Sequence, residues 1–267
     1  MIHYRHRKVI EMDHGITEEC ALNGFFSPAQ RQRLLQAVSA RRSVRAYRGE
    51  PDVSQMSALH YAAARCCLPG VRIEIGDTDP RLLFRRLPVV GGIQGTGKFA
   101  AIIADTSAPY SALHAGVSGE AFILEATALN VGTCWVMSYR RKEFFLPLKE
   151  GERALAVTPL GVINDVNPGR KRKKLTDLCV GDPAAWPLWA YRAAECVRQA
   201  PSAMNRQPWK LSYAGRTLML SRAGAGGTEV DMGIALLHMS LGAEDHAHVI
   251  RWGEGREIAS MVLEEET

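Results

Sequence analysis

The segment from Arg41 to Arg45 carries side chains that could bind a phosphate. It contains three arginines and a serine within five residues, at Arg41, Arg42, Ser43 and Arg45. A guanidinium is a planar fork that can bond two phosphate oxygens at once. The segment could equally be a solvated basic corner, and the residues alone leave both possibilities open.

The stretch 200–209 combines hydrogen-bonding side chains with two prolines. Ser202, Asn205 and Gln207 lie between Pro201 and Pro208. This composition predicts a loop, and the prolines stiffen it. Directed amide and hydroxyl groups on such a loop suit a planar heterocycle with carbonyl and N–H edges. A purely structural loop seldom carries this many hydrogen-bonding groups between prolines.

Two further segments are less specific. The run from Arg170 to Lys174 has five consecutive cations, which could be a solvated loop, a nucleic-acid-binding segment or a second clamp for the same phosphate. Because it follows an apolar strand and a Pro-Gly turn, it is anchored to a core, unlike a free nucleic-acid arm. The turn 132–135 should expose main-chain N–H groups. Cys134 within it could be a nucleophile only with a nearby base, and the sequence places none.

Two other patterns argue against alternative chemistries. Residues 92–99 nearly match the phosphate-binding loop of nucleotide triphosphatases, but Phe99 has no hydroxyl to hold Mg²⁺. That segment also precedes a predicted strand, where such a loop should open a helix. The histidines at 238, 246 and 248 lack companion ligands at a reliable metal-binding spacing.

The elements that position these segments are predicted from apolar periodicity and end signals. Ser27 and Pro28, for example, form a good helix start. Helices are predicted at 28–40, 53–66, 117–131, 190–199 and 231–242. Strands are predicted at 71–75, 99–104, 154–163, 211–213, 217–221 and 258–263, and a turn followed by a strand at 132–136. Loops are predicted at 164–169 and 200–209, and a polar lead-in before residue 28.

Composition is that of a globular protein. The chain has 267 residues, of which 46% are hydrophobic and 23% charged, with a mild net charge of +5. No apolar run approaches the about 20 residues that span a bilayer. The lead-in has no apolar signal region, so a cytoplasmic protein is expected. The six cysteines form no CxxC pair and are expected to be reduced, mostly buried thiols.

Short stretches of the chain echo each other. Residues 63–66 resemble 193–196, and residues 119–124 resemble 233–238. The two pairs differ in their separation, so the matches reflect either chance or a duplication that has drifted. If the duplication is real, the chain has two similar halves packed face to face, which we place at 1–180 and 181–267.

Five motifs together resemble the FMN-dependent nitroreductase family: RRSVR, NVGTCW, VTPLGVI, RKRKKL and APSAMNRQPW. The resemblance extends from about residue 30 to residue 245. It implies an α+β, nitroreductase-like fold with central, mostly antiparallel sheets flanked by helices. In ordinary members, a homodimer holds two FMN molecules at its interface. The arginine–serine segment (RRSVR) and the basic loop (RKRKKL) bind the phosphate and ribityl chain. The loop that corresponds to APSAMNRQPW, here called the amide loop, comes from the other protomer.

One departure from the family pattern is informative. The family places its amide loop shortly after the RRSxR segment, but residues 66–72 stand there in this chain and lack the amides. The intact loop occurs only at 200–209, and the second half has neither an RRSxR nor a GTCW segment. The chain therefore resembles a single-chain pseudo-dimer, with one FMN between its halves.

The resemblance also assigns roles to individual residues. It places Arg41, Arg42, Ser43 and Arg45 at the phosphate, assisted by Arg170 and Arg172. It places the amide loop against the isoalloxazine or ribityl group, through Pro201, Ser202, Asn205 and Gln207. It places the GTCW turn near the ring, with a main-chain donor at N5, through Thr133, Cys134 and Trp135. Gln94 is a candidate for the pyrimidine edge and Trp209 for the core.

The activity implied by the resemblance is that of a flavin oxidoreductase. A tightly bound FMN would take a hydride from NAD(P)H and pass electrons to a nitroaromatic, quinone or related small-molecule acceptor. No acid–base side chain and no metal is required, and neither a nucleic-acid nor a membrane partner is expected. The protein would be a monomer or a homodimer. A non-catalytic FMN-binding protein for storage or sensing is the alternative, followed by a basic nucleic-acid-binding protein.

Overall fold

A computed structural model describes residues 19–84, 92–163, 171–224, 227–243, 248–253 and 255–263. Arg170, the predicted loop 164–169 and most of the predicted lead-in lie outside these residues. The described residues form antiparallel sheets flanked by helices, so the predicted α+β class is confirmed.

The helices and strands follow the chain in two successive groups. Through residue 163 they are α1 (Pro28–Val38), α2 (Val53–Arg65), β1 (Val71–Asp77), α3 (Pro80–Leu83), β2 (Lys98–Asp105), α4 (Ser111–Ala128), β3 (Val131–Gly132), β4 (Glu152–Pro159) and β5 (Gly161–Val162). From residue 171 onward they are α5 (Leu175–Leu178), α6 (Leu188–Gln199), β6 (Trp209–Ala214), β7 (Thr217–Arg222), α7 (Glu229–Gly242), β8 (His248–Trp252) and β9 (Glu257–Leu263).

Most predicted elements are present, with ends within two residues of the prediction. Local signals explain this agreement. The Ser27 hydroxyl accepts a hydrogen bond from Gln30 N at the start of α1, and Pro28 occupies the first turn. Asp52 and Gln55 form a capping box that begins α2.

Three predictions were wrong in detail, and one strand was missed. Of the turn and strand predicted at 132–136, strand β3 includes only Gly132 and begins at Val131. Helix α4 begins at Ser111, well before the predicted residue 117. Polar residues in its first turns, such as His114, interrupt the apolar pattern on which the prediction was based. The predicted strand 154–163 is divided at Leu160, whose N–H still donates to Lys98 O of β2 at 2.8 Å; the chain then continues as β5, which pairs with β3 instead. Strand β8 was not predicted, because it is a short edge strand interrupted by polar residues.

The two larger sheets have a common chain order. The first contains β1, β2 and β4, in that order across the sheet, and the second contains β6, β7, β9 and β8. Each is preceded by a helix, α2 or α6, and each has a long buried helix, α4 or α7, after its second strand. The predicted division at residue 180 stays a prediction.

Helices α4 and α7 pack against each other at two glycines. A Cβ added to Gly116 would lie 2.2 Å from Val230 O, and one added to Gly233 would lie 2.0 Å from Leu113 O. Each carbonyl belongs to the residue three positions before the opposite glycine, so the contact is reciprocal. Reciprocity of this kind is the mark of a two-fold axis. The sequence echo that paired Gly119 with Gly233 is therefore three residues out of register with the observed crossing.

The strand cores fit their positions in the sheets. Residues 99–104 of β2 are fully buried because this strand lies between β1 and β4. Its unbroken apolar run reflects burial on both faces. None of the helices in the described part of the chain combines the length and apolar character needed to cross a bilayer.

Candidate functional site

The segment 41–47 lies between two neighbouring stretches of the chain. On one side Ser43 pairs with Thr133, and Val44 N donates to Thr133 O at 2.8 Å. On the other side Ala46 pairs with Gln94, whose carbonyl accepts from Tyr47 N at 3.0 Å. The arginine–serine segment, the GTCW turn and the glycine-containing stretch 92–97 are therefore brought together.

Arg41 differs from its neighbours in burial and bonding. Its side chain is only 5% exposed, and its Nε lies 3.7 Å from Glu120 Oε1 without a hydrogen bond. The Arg42 guanidinium instead donates to Ala40 O at 2.8 Å, and Arg45 is half-buried. Arg41 is thus the residue of the segment with a buried donor left over for another acceptor.

Glu120 is completely buried on α4 and contacts three parts of the chain. Its Oε2 accepts from Trp135 Nε1 at 2.7 Å, and its Oε1 is 3.1 Å from His238 Nε2 of α7. The other ring nitrogen of His238 is 3.0 Å from Cys196 O. With Arg41 beside it, Glu120 connects the arginine segment, the GTCW turn and α7.

Trp135 is fixed in place by α4. Its indole covers Gly119, where an added Cβ would come within 2.4 Å of the ring. The main chain next to it has one donor in use, because Cys134 N donates to the Thr158 hydroxyl at 3.1 Å. Within the described ranges, the Trp135 main-chain N–H has no hydrogen-bond acceptor. The Trp135 N–H is therefore available to a ligand.

The amide loop 200–209 is bonded to the basic run. Arg172 Nη1 donates to Asn205 Oδ1 at 2.7 Å, and Asn205 Nδ2 donates to Lys171 O at 2.9 Å. Lys173 N donates to Gln207 Oε1 at 3.0 Å. The basic run therefore holds this loop, which explains part of its charge without invoking nucleic acid.

The same loop has an unusual backbone. Met204, Asn205 and Gln207 have φ angles of 52°, 57° and 49°. Non-glycine residues in this left-handed region cost about 1–3 kcal/mol each and cluster at functional sites. Ala203 N donates to Asp231 Oδ1 at 2.8 Å, and the Ser202 hydroxyl accepts from Gln207 N. Met204 at the tip is 65% exposed.

The candidate residues thus form two groups joined by α4 and α7. The first group surrounds Arg41 and contacts α4 at Glu120. The second surrounds Asn205 and contacts α7 at Asp231. Because Gly116 and Gly233 touch, helix geometry keeps the Cα atoms of Glu120 and Asp231 no more than about 16 Å apart. Arg172 lies in the second group, where its Nη1 donates to Asn205 Oδ1. Pro201 is buried at the start of the amide loop.

Sequence reasoning missed Glu120 and Asp231, and it considered His238 only as a metal ligand. All three lie in helices that were predicted as apolar elements. The available signal was a carboxylate or imidazole alone within a small, apolar helix, because such a group needs a buried partner.

Other predictions concern residues outside the two groups. Trp209 is fully buried, as predicted. The six cysteines are free and mostly buried, also as predicted. Burial raises the pKa of Cys20 to about 12 and that of Cys67 to about 11. Among the described residues, no three His, Cys, Asp or Glu side chains are grouped to hold a metal ion.

Comparison with known proteins agrees with the predicted resemblance. A family model described as "Putative TM nitroreductase" matches residues 33–243. No curated protein matches the chain. The crystal structure of a "putative nitroreductase" from Thermotoga maritima has 24% identity and a TM-score of 0.63, covering 86% of this chain and 93% of its own.

Two shorter proteins with solved structures are also similar. A "Putative NADH dehydrogenase/NAD(P)H nitroreductase" from Parabacteroides distasonis has 19% identity and a TM-score of 0.45, covering 56% of this chain and 98% of its own. A nitroreductase with bound FMN from Desulfitobacterium hafniense has 14% identity and a TM-score of 0.42, covering 58% of this chain and 97% of its own.

Proposed function

The chain belongs to the nitroreductase family, and from this premise we propose that it is an FMN-dependent oxidoreductase with one flavin between its two halves. FMN, when bound, would supply hydride transfer from NAD(P)H and electron transfer to a nitroaromatic, quinone or related acceptor. We further propose that the halves at 1–180 and 181–267 form a pseudo-dimer within one chain.

The observation that carries this proposal is the pair of unused donors in the first group. Arg41 has a buried Nε without a hydrogen bond, and the Trp135 main-chain N–H lacks an acceptor among the described residues. A buried donor without a partner, such as Arg41 Nε, costs free energy and therefore favours a ligand that accepts from it. These residues fit a group with an anionic end and a ring with acceptor atoms.

The roles of the first group follow from charge and geometry. Arg41 would bind the phosphate, with Arg42, Ser43 and Arg45 around it. The Trp135 N–H would donate to the flavin ring, while Thr133 and Cys134 shape the turn that presents it. Preorganised N–H donors at a ring that gains negative charge stabilise that charge without reorganisation.

The second group would close the site from the other half. The Asn205 and Gln207 amides are bonded to the basic run, so we assign them to holding the strained loop against the flavin. Ser202 and Pro201 would then meet the ring or ribityl chain. The separation of at most about 16 Å between Glu120 and Asp231 is one that a single flavin mononucleotide can bridge.

The experiment combines flavin binding with reduction. The purified chain is reconstituted with FMN, and anaerobic NADH or NADPH is added while the flavin absorbance is followed. Bleaching of the bound flavin and reoxidation by a nitroaromatic or quinone are expected. Bound flavin that neither nucleotide reduces would leave a storage or sensing protein, and failure to bind FMN would reject the proposal.

A further inference from the structure

Helix α4 carries two buried carboxylates whose surroundings differ. Glu125 accepts from Arg33 Nε at 2.8 Å and from Arg33 Nη2 at 2.7 Å, a two-pronged ion pair. Glu120 has an arginine beside it as well, but its two oxygens face Trp135 and His238. Arg41 is left at 3.7 Å with its Nε unbonded.

The consequence is that Glu120 supplies Arg41 with charge but not with hydrogen bonds. A buried guanidinium needs a nearby negative charge, because an isolated buried charge is strongly unfavourable. Glu120 meets this need when no anion is bound. The same carboxylate repels any anion that the Arg41 donors would bind, since charges about 8 Å apart still interact inside a protein.

We propose that Glu120 is a specificity-determining residue that limits how strongly the site prefers FMN over riboflavin. This inference rests on the proposed flavin site. The two flavins share the ring and the ribityl chain and differ only in the phosphate, so a residue that acts on the phosphate through Arg41 changes FMN binding and not riboflavin binding. Glu120 touches neither the substrate nor the ring in this role.

The test is the ratio of the dissociation constants for riboflavin and FMN. Glu120→Gln keeps the size of the side chain and an oxygen for Trp135 Nε1, and removes only the charge. We expect FMN to bind roughly tenfold more tightly and riboflavin to be unchanged. Glu125→Gln is the matched control, because it removes a buried carboxylate from the same helix but one that is bonded to Arg33; its ratio should equal that of the unaltered protein.

Two results would overturn the inference. If Glu120→Gln weakens FMN and riboflavin equally, Glu120 acts at the ring through Trp135. If the ratio is unchanged, Glu120 has no effect on the phosphate.

A second variant covers a failure of Glu120→Gln to fold. Arg41→Gln should lower the preference for FMN over riboflavin, and an unchanged ratio would contradict the inference. If the unaltered protein binds neither flavin, the proposed function fails by itself. The effect of the Glu120 charge is then tested with inorganic phosphate, by measuring how much it raises the unfolding temperature of each variant. The rise should be larger for Glu120→Gln than for Glu125→Gln, and equal rises would overturn the inference.

Discussion

The loops that follow α2 and α6 lead into the first strands of the two sheets, and both are tied to the long helix of their own sheet. In the first loop, Pro69 O is 2.8 Å from His114 Nδ1; in the second, Ala203 N donates to Asp231 Oδ1 at 2.8 Å. His114 and Asp231 each lie two residues before a crossing glycine, Gly116 or Gly233. The attachment points correspond although the residues do not.

The loops differ in what they carry beyond that attachment. The second loop has three non-glycine residues with positive φ and two amides held by the basic run. In the first loop, Gly70 is the residue with positive φ, at 77°, and the loop lacks amides. Strain is retained where the surrounding structure fixes it for a function. The comparison indicates one elaborated site and one simple connection on equivalent scaffolds.

The largest expected effect is on the crossing of α4 and α7. Gly233→Ala places a Cβ 2.0 Å from Leu113 O, and Gly116→Ala places one 2.2 Å from Val230 O. Because backbone cannot move aside without separating the helices, each variant should lower the free energy of unfolding by about 3 kcal/mol. Urea denaturation measures this. Gly49→Ala, with open space around it, is the control, and a silent variant at either crossing glycine would refute the reciprocal contact.

The next effect separates the two loops. Asn205→Ala removes the bonds to Arg172 and Lys171 O. Loss of a hydrogen bond to a charged group costs about 2 kcal/mol, so FMN affinity should fall about 30-fold. A fluorescence titration with FMN measures it. Cys67→Ala, in the first loop, should leave the affinity unchanged; equal losses in both loops would contradict the asymmetry.

The smallest effect concerns the first sheet. Arg72 of β1 donates to both carboxylate oxygens of Glu152 at the start of β4, at 2.9 Å each, and lowers the pKa of Glu152 to about 2. A lowered folded-state pKa stabilises the fold above the unfolded value near 4.3, and this contribution is lost as the pH falls towards 2.

Glu152→Gln tests this ion pair. After allowance for solvent screening, the variant should be less stable than the unaltered protein by about 0.5–1 kcal/mol at pH 7. Urea denaturation at pH 7 and pH 3 should show the difference shrinking at the lower pH. A difference that is constant or grows on acidification would mean that the ion pair does not produce the shift.

The sequence predicted those parts of the fold that have local causes. Capping residues set the starts of α1 and α2, and the apolar run of β2 predicted a buried strand. Strand β8 escaped prediction, because an edge strand buries little and needs no regular apolar pattern. The change of partner from β2, paired with β4, to β3, paired with β5, depends on strands that are distant in the sequence.

The candidate site divides in the same way. Its motifs could be found because arginine, amide and glycine-containing segments have recognisable composition. The link between them could not, since Glu120 and His238 meet only after α4 and α7 have packed. Asn205 and Gln207 were expected to face the ligand, yet their partners are in the basic run, a choice that only tertiary structure decides. Their contact with flavin stays a prediction.

The central claim is that one flavin lies where the two halves of this chain meet, and equilibrium dialysis against FMN tests it most directly. The account predicts saturation at one FMN per chain, with binding weakened by Arg41→Ala in the first half and by Asn205→Ala in the second. Saturation at two FMN per chain, or full affinity in either variant, would contradict it.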